Sequence, residues 1–186
     1  MKRIFILAAL AMITLASCDK VKDATSKDVT VNGVEFKFMA TTAAVKSGGA
    51  SIARSATTNS SFNITEELDI SDLSDEEVIE YADKIRKIKV KSSQVKVTMN
   101  APGKLTVTNF VISAEGVTGK ITVPSYTVGD VFEPTKEMNE YTASLIEKLL
   151  KSKKLKVTVS GETDAPVGTI VTVSYKNDIV FTISLL

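Results

Sequence analysis

The most concentrated functional groups in this chain are two runs of cations: Lys84, Arg86, Lys87, Lys89 and Lys91, then Lys148, Lys151, Lys153, Lys154 and Lys156. Brought together in space, such groups would bind an anionic partner: a lipid headgroup, an acidic glycan or an acidic envelope protein. Lys87, Lys89, Lys91, Lys151, Lys153 and Lys154 are the candidates for that surface. The competing reading is a solvated face, because each run falls where a helix is expected to end and helix C-termini favour cations. No aromatic residues are interleaved with the lysines, so stacking on single-stranded nucleic acid is not expected. Nor does the charge balance, 23 Lys+Arg against 22 Asp+Glu, offer net attraction to phosphates.

The acidic run Asp69, Asp72, Asp75, Glu76 and Glu77 invites comparison with a calcium site. It lacks both the alternating ligand spacing and the turn glycine of an EF-hand loop. Acids at the start of a helix are what the helix dipole favours in any case. With no His in the chain, Ser-His-Asp and Cys-His catalysis are excluded, as are His-bearing zinc sites. The glycines form neither a dinucleotide fingerprint nor a phosphate loop. A pair of carboxylates distant in sequence could still serve a glycosidase, but no acid stands out for that role. The expectation is a non-catalytic protein with no metal, no cofactor and no nucleic-acid partner.

One side chain does have a recognisable chemical role. Lys2 and Arg3 precede an apolar run, Ile4 to Leu15, too short to span a bilayer but suited to an export signal. It ends in Leu15-Ala16-Ser17-Cys18, and Cys18 is the only cysteine. This segment resembles the lipobox signal of bacterial lipoproteins. The resemblance implies removal of residues 1–17 and acylation of Cys18, hence anchoring to a membrane of the bacterial cell envelope, on the periplasmic or the surface side. It covers residues 1–18 alone. Residues 18–28 are polar, without apolar periodicity, and read as a lipid-anchored flexible tether; residues 29–186 read as one domain.

Within that domain period-2 alternation dominates. Val29, Val31, Val34, Phe36 and Phe38 flank Asn32-Gly33, which predicts a hairpin. Residues 40–61 are rich in Ala, Ser, Thr and Gly, with Gly48-Gly49 a candidate turn or part of a loop. Further strands are expected around Phe62 to Ile70 and over Val95–Met99, Leu105–Ile112, Ile121–Val128, Leu155–Val159, Ile170–Tyr175 and Ile179–Leu185. Helical spacing appears twice: Val78, Tyr81, Ala82, Ile85 and Ile88, opened by a Ser74/Glu77 capping box, and Met138, Tyr141, Leu145 and Leu149 after Pro134-Thr135. The helices should bury Val78, Ala82, Ile85, Met138, Leu145 and Leu149 against the strands. The fold class is therefore α+β: mainly antiparallel β, as a curved sheet or sandwich, with two helices packed on it.

At an offset of 60 residues, positions 80–98 and 140–158 share seven identities, among them Glu80-Tyr81 with Glu140-Tyr141 and Lys96-Val97-Thr98 with Lys156-Val157-Thr158. Ala101-Pro102 and Ala165-Pro166 follow. Two units, about 74–114 and 134–175, thus read helix, strand, Ala-Pro turn, strand, as an internal duplication would. The functional expectation is a membrane-tethered binding or scaffolding module. The alternative is a periplasmic carrier of a hydrophobic ligand or lipid; a carboxylate-dependent hydrolase ranks below both.

Overall fold

The computed structural model describes residues 25–45, 60–73 and 75–185. The expected export signal, Cys18, Gly48-Gly49 and Ser74 lie outside the described residues. In chain order the elements are β1 (Ser26–Thr41), β2 (Ala43–Ala44), β3 (Ser60–Asp69), a 3-10 turn (Ile70–Leu73), α1 (Glu76–Glu80), a second 3-10 turn (Ala82–Lys84), β4 (Ile85–Met99), β5 (Thr106–Ala114), β6 (Ile121–Thr127), β7 (Val131–Phe132), α2 (Lys136–Ser152), β8 (Lys154–Thr163) and β9 (Ile170–Ser184). One sheet has the order β1-β9-β4-β7 and the other β2-β3-β8-β5-β6. All neighbours pair antiparallel. The fold is thus mostly antiparallel β with two helices, as the alternation predicts.

Alternation along each strand sets its buried side. Val34, Phe36 and Phe38 of β1, Val95 and Val97 of β4, and Val171, Val173 and Tyr175 of β9 belong to one apolar cluster with Phe62, Val107, Phe110, Ile112, Val157 and Val159 of the other sheet. At the β8 position Gly161, a Cβ would lie 2.7 Å from the Phe62 ring, so the absent side chain is what lets that ring rest on the strand. Each fully buried Val, Leu, Ile or Phe is worth about 1.5–3 kcal/mol.

β1 corrects the predicted hairpin. Asn32-Gly33 is not a turn: it is a bulge inside a single strand, with Gly33 at φ +71° and register shifting between Val31 and Val34. The two strands expected at Ile170–Tyr175 and Ile179–Leu185 are likewise one strand, β9. Opposite the same point β4 carries a register shift between Val90 and Ser92. The two irregularities are aligned across the sheet, one on either side of β9, and tied together by Asp178. Its carboxylate accepts the Gly33 backbone N–H at 2.9 Å and the Ser92 hydroxyl at 2.7 Å, and those bonds hold its pKa below the ordinary value. Beside it, the buried Ser93 hydroxyl donates to Asn177 Oδ1 at 2.8 Å.

The first helix is far shorter than its spacing predicts. Asp75 caps α1 by accepting from the Val78 N–H, and the chain is extended from Ile85 onward. Ile85 and Ile88 are therefore strand residues, three apart because β4 is irregular between Ile85 and Lys87, and both are half-buried. Val78 and Ala82 are buried as expected. α2 matches its prediction better: Thr135 caps it, and Tyr141, Leu145, Ile146, Leu149 and Leu150 are buried, while Met138 is only half-buried. The Thr142 and Tyr175 hydroxyls bond each other, fixing α2 to the inner side of β9. On the helix's other flank Gly119 lies against the Tyr141 ring. β1 begins at Ser26, so the last three residues of the expected tether are paired with β9.

Leu145→Ala, at a site 1% exposed, should cost about 2–5 kcal/mol in denaturant unfolding, and Ile85→Ala only about 1 kcal/mol, because part of its surface already meets water. Gly33→Ala should cost about 1–2 kcal/mol through its left-handed backbone, since no atom crowds the site. The depressed Asp178 carboxyl stabilises the fold above its unfolded-state pKa, and that stability is lost as pH falls through the lower folded value. Asp178→Asn should accordingly destabilise at neutral pH, and the gap from the parent should narrow in acid; a gap constant from neutral pH down to strong acid would refute the role.

Candidate functional site

Beyond its short pairing with β7 at Val95 and Lys96, the N-terminal half of β4 has no neighbouring strand on its outer side. α2 runs alongside that half in the opposite direction. The start of the helix (Lys136, Asn139, Glu140, Ala143) lies by Ile88–Lys91, and its end (Glu147, Leu150, Lys151) lies by Ala82 and Ile85–Ile88. Between them is a two-part groove of about 280 Å³ and about 430 Å³, joined at Ile88 and Ala143. It exists because α2 is held inward by Thr142, Leu145 and Leu149, which leaves its small residues, Ala143 and Ser144, towards the strand.

The floor is apolar: Ile85, Ile88, Val90, Ala143 and Leu150. The rim is basic. Arg86, Lys87, Lys89 and Lys91 come from β4, and Lys136 and Lys151 from α2. Glu140 and Glu147 are the carboxylates of this groove, each in an i,i+4 pair with Lys136 or Lys151. Among the described residues Arg86, Lys87 and Lys89 take part in no ion pair. Asn139, also in the lining, has a buried side-chain oxygen with no hydrogen-bond partner among the described residues.

The structure brings together part of the surface anticipated from the sequence. Lys87, Lys89, Lys91 and Lys151 border this groove. Lys153 and Lys154 do not: they sit past the end of α2, where Lys153 caps the helix in the left-handed conformation and faces Asp83 at 3.7 Å. Lys154 pairs with Glu67 across the β3–β8 ladder at 2.7 Å, which raises its pKa. The first cluster also departs from expectation in being strand-borne rather than at a helix end. Sequence reasoning missed the helix side of the groove, Asn139, Ala143 and Ser144. Their signal was the polar and small stripe opposite the Tyr141/Leu145/Leu149 face.

Several ionisable groups outside the groove are shifted in a direction that bears on catalysis. Hydrogen bonds from Ser174 to Glu35, from Ser71 to Asp69, and from its own backbone N–H together with Thr135 to Glu137 hold these carboxyls low, as hydrogen bonds do Asp178. A glycosidic general acid needs the opposite shift. Burial pushes the Tyr141 phenol up to about 12 and the Tyr175 phenol upward, so neither is an activated base. Among the described residues there is no group of three or more Cys, Asp or Glu placed to hold a metal ion, and no helix long and apolar enough to cross a membrane.

No protein-family model and no curated protein sequence matches the chain. Among the solved structures that match, two align over most of its length. One is a chain of Desmodium yellow mottle tymovirus, 10% identical, with a TM-score of 0.33, covering 97% of this chain and 97% of its own. The other is from a full particle of Israeli acute paralysis virus heated to 63 degrees, 9% identical, with a TM-score of 0.29, covering 98% of this chain and 86% of its own. Likeness at this level carries no functional argument.

Proposed function

We propose that this chain is a membrane-tethered, non-catalytic binding module of the bacterial cell envelope, anchored through a lipidated Cys18. The observation that carries the binding reading is the groove beside β4: an apolar floor, a rim of six cations against two carboxylates, and an open strand edge. The anchoring part is supported by the Leu15-Ala16-Ser17-Cys18 signal. An anionic envelope partner, whether protein, glycan or lipid, suits the rim. Preorganised strands suit binding because little order has to be gained on association.

We also read an internal duplication in the strand pairing. β4 and β5 are successive strands in opposite sheets, as are β8 and β9, and the pairs formed are β4 with β9 and β5 with β8. Exchanging the two units leaves that pattern unchanged, in keeping with the repeated Lys-Val-Thr of β4 and β8. The sequence offset does not carry over element by element, since Ile85–Ser92 is strand and Leu145–Ser152 is helix.

Intact-mass analysis of membrane-extracted protein tests the anchor. The expected result is a chain beginning at an acylated Cys18, with Cys18→Ser released from the membrane fraction. An unmodified Cys18 overturns the tether. Native mass spectrometry of the Cys18→Ser chain tests the rest: lipid co-purifying in stoichiometric amount would replace the binding module by a hydrophobic carrier.

A further inference from the structure

We infer that the groove between β4 and α2 receives an acidic, extended polypeptide segment that adds as a strand to the free edge of β4 over Ile85–Gln94. The inference deepens the binding-module reading above by naming the partner's chemistry. Three features of one place support it. Backbone groups on this side of β4 have no neighbouring strand, and unpaired edge groups are a template for strand addition. Side chains of an added strand alternate, so every second residue would face the floor of Ile88, Val90 and Ala143 while the others face the rim. The rim is cationic, with Arg86, Lys87 and Lys89 unpaired among the described residues, so carboxylates at the outward positions are what it complements.

The same charges decide between occupants. Pairing two copies of this edge would bring lysines against lysines, which costs free energy and opposes a self-made dimer. A lipid surface would satisfy the cations but leave the strand's backbone groups and the apolar floor unused. Asn139 adds a further point: its unpaired buried oxygen lies beside Lys89–Lys91, and rotation of the side-chain amide would offer an acceptor to an incoming N–H. Lysines and the two register shifts also keep such an edge from casual association. They do so against neutral or basic strands and leave acidic ones admissible, a form of partner selection.

The test uses the full chain in detergent micelles and a fluorescent peptide of roughly eight residues of alternating Glu and Val. Saturable binding is expected, weakening with salt, together with slowed amide hydrogen exchange over residues 85–94. A Lys/Val peptide should not bind. The double variant Lys87→Glu/Lys89→Glu should weaken binding by about tenfold or more. Ala143→Phe, which fills the groove without changing charge, should do the same, whereas Lys176→Glu on the outer face of β9 should not. Circular dichroism checks that each variant is folded, and the Lys/Val control reads the charge requirement without any variant. Binding without hydrogen-exchange protection, equal binding of both peptides, or binding only to phosphatidylglycerol vesicles would overturn the proposal, as would a dimer dispersed by Ala143→Phe. None of these readouts depends on acylation, so failure of the anchor and failure of the groove are told apart.

Discussion

The carboxylate of Asp178 holds the line across the four-stranded sheet on which the rest of the architecture depends. At that line β1 and β4 each have one extra residue, and β9 passes between them. An extra residue turns a strand's facing by one position and bends it. Three strands can bend together only if their backbone and side-chain donors are satisfied at the same level. The Gly33 N–H and the Ser92 hydroxyl both end on Asp178, and Ser93 ends on Asn177. On one side of the line the sheet packs against the other sheet through Phe36, Val97 and Val173. On the other side it presents Ile179, Phe181 and Ile183 and the outermost half of β4, alongside α2.

That division gives a long amphipathic helix a place beside two antiparallel sheets. Beyond the bend Ile179, Phe181 and Ile183 are apolar surface that has to be covered. α2 supplies the cover with its Leu145/Leu149 face and a hydroxyl bond to Tyr175. A helix packs on strands at a greater distance than a strand pairs with one, so covering the face of β4 leaves the edge of β4 unpaired. The groove is a geometric remainder of that arrangement, and the basic residues are the sequence's own addition to it.

Legibility from sequence followed the regularity of the backbone. Where alternation was unbroken, as in β6 and β8, strands were readable to within a few residues. α2 was readable because its cap and its apolar stripe agree. Errors clustered at the bulges, for a common reason: one inserted residue makes successive inward positions three apart. Val31 and Val34 then look like the flanks of a turn, and Ile85 and Ile88 look like neighbours on a helix. Asn32-Gly33 suits a left-handed bulge as well as it suits a hairpin. What decides between them is the Asp178 carboxylate, 145 residues away from Gly33, which no local window contains. The basic surface was half legible for the same reason. Lysine runs are visible in sequence, but which of them meet across α2 is a matter of tertiary packing, and Lys153 and Lys154 were drawn off by Asp83 and Glu67.

The pairing of Ser26 with Ser184 at the start of β1, continued by the Leu185 N–H to the Thr25 carbonyl, has a mechanical side. Any pull transmitted along the chain into residue 25 meets the outermost strand of its sheet at the terminal rung of an antiparallel ladder. Hydrogen bonds there lie crosswise to the strands, so a load directed across the strands would open them in succession, as a zipper does, whereas a load along β1 would shear them together. In the peeling direction the Gly33–Asp178 tie is then met before the Phe36 and Phe38 core is disturbed.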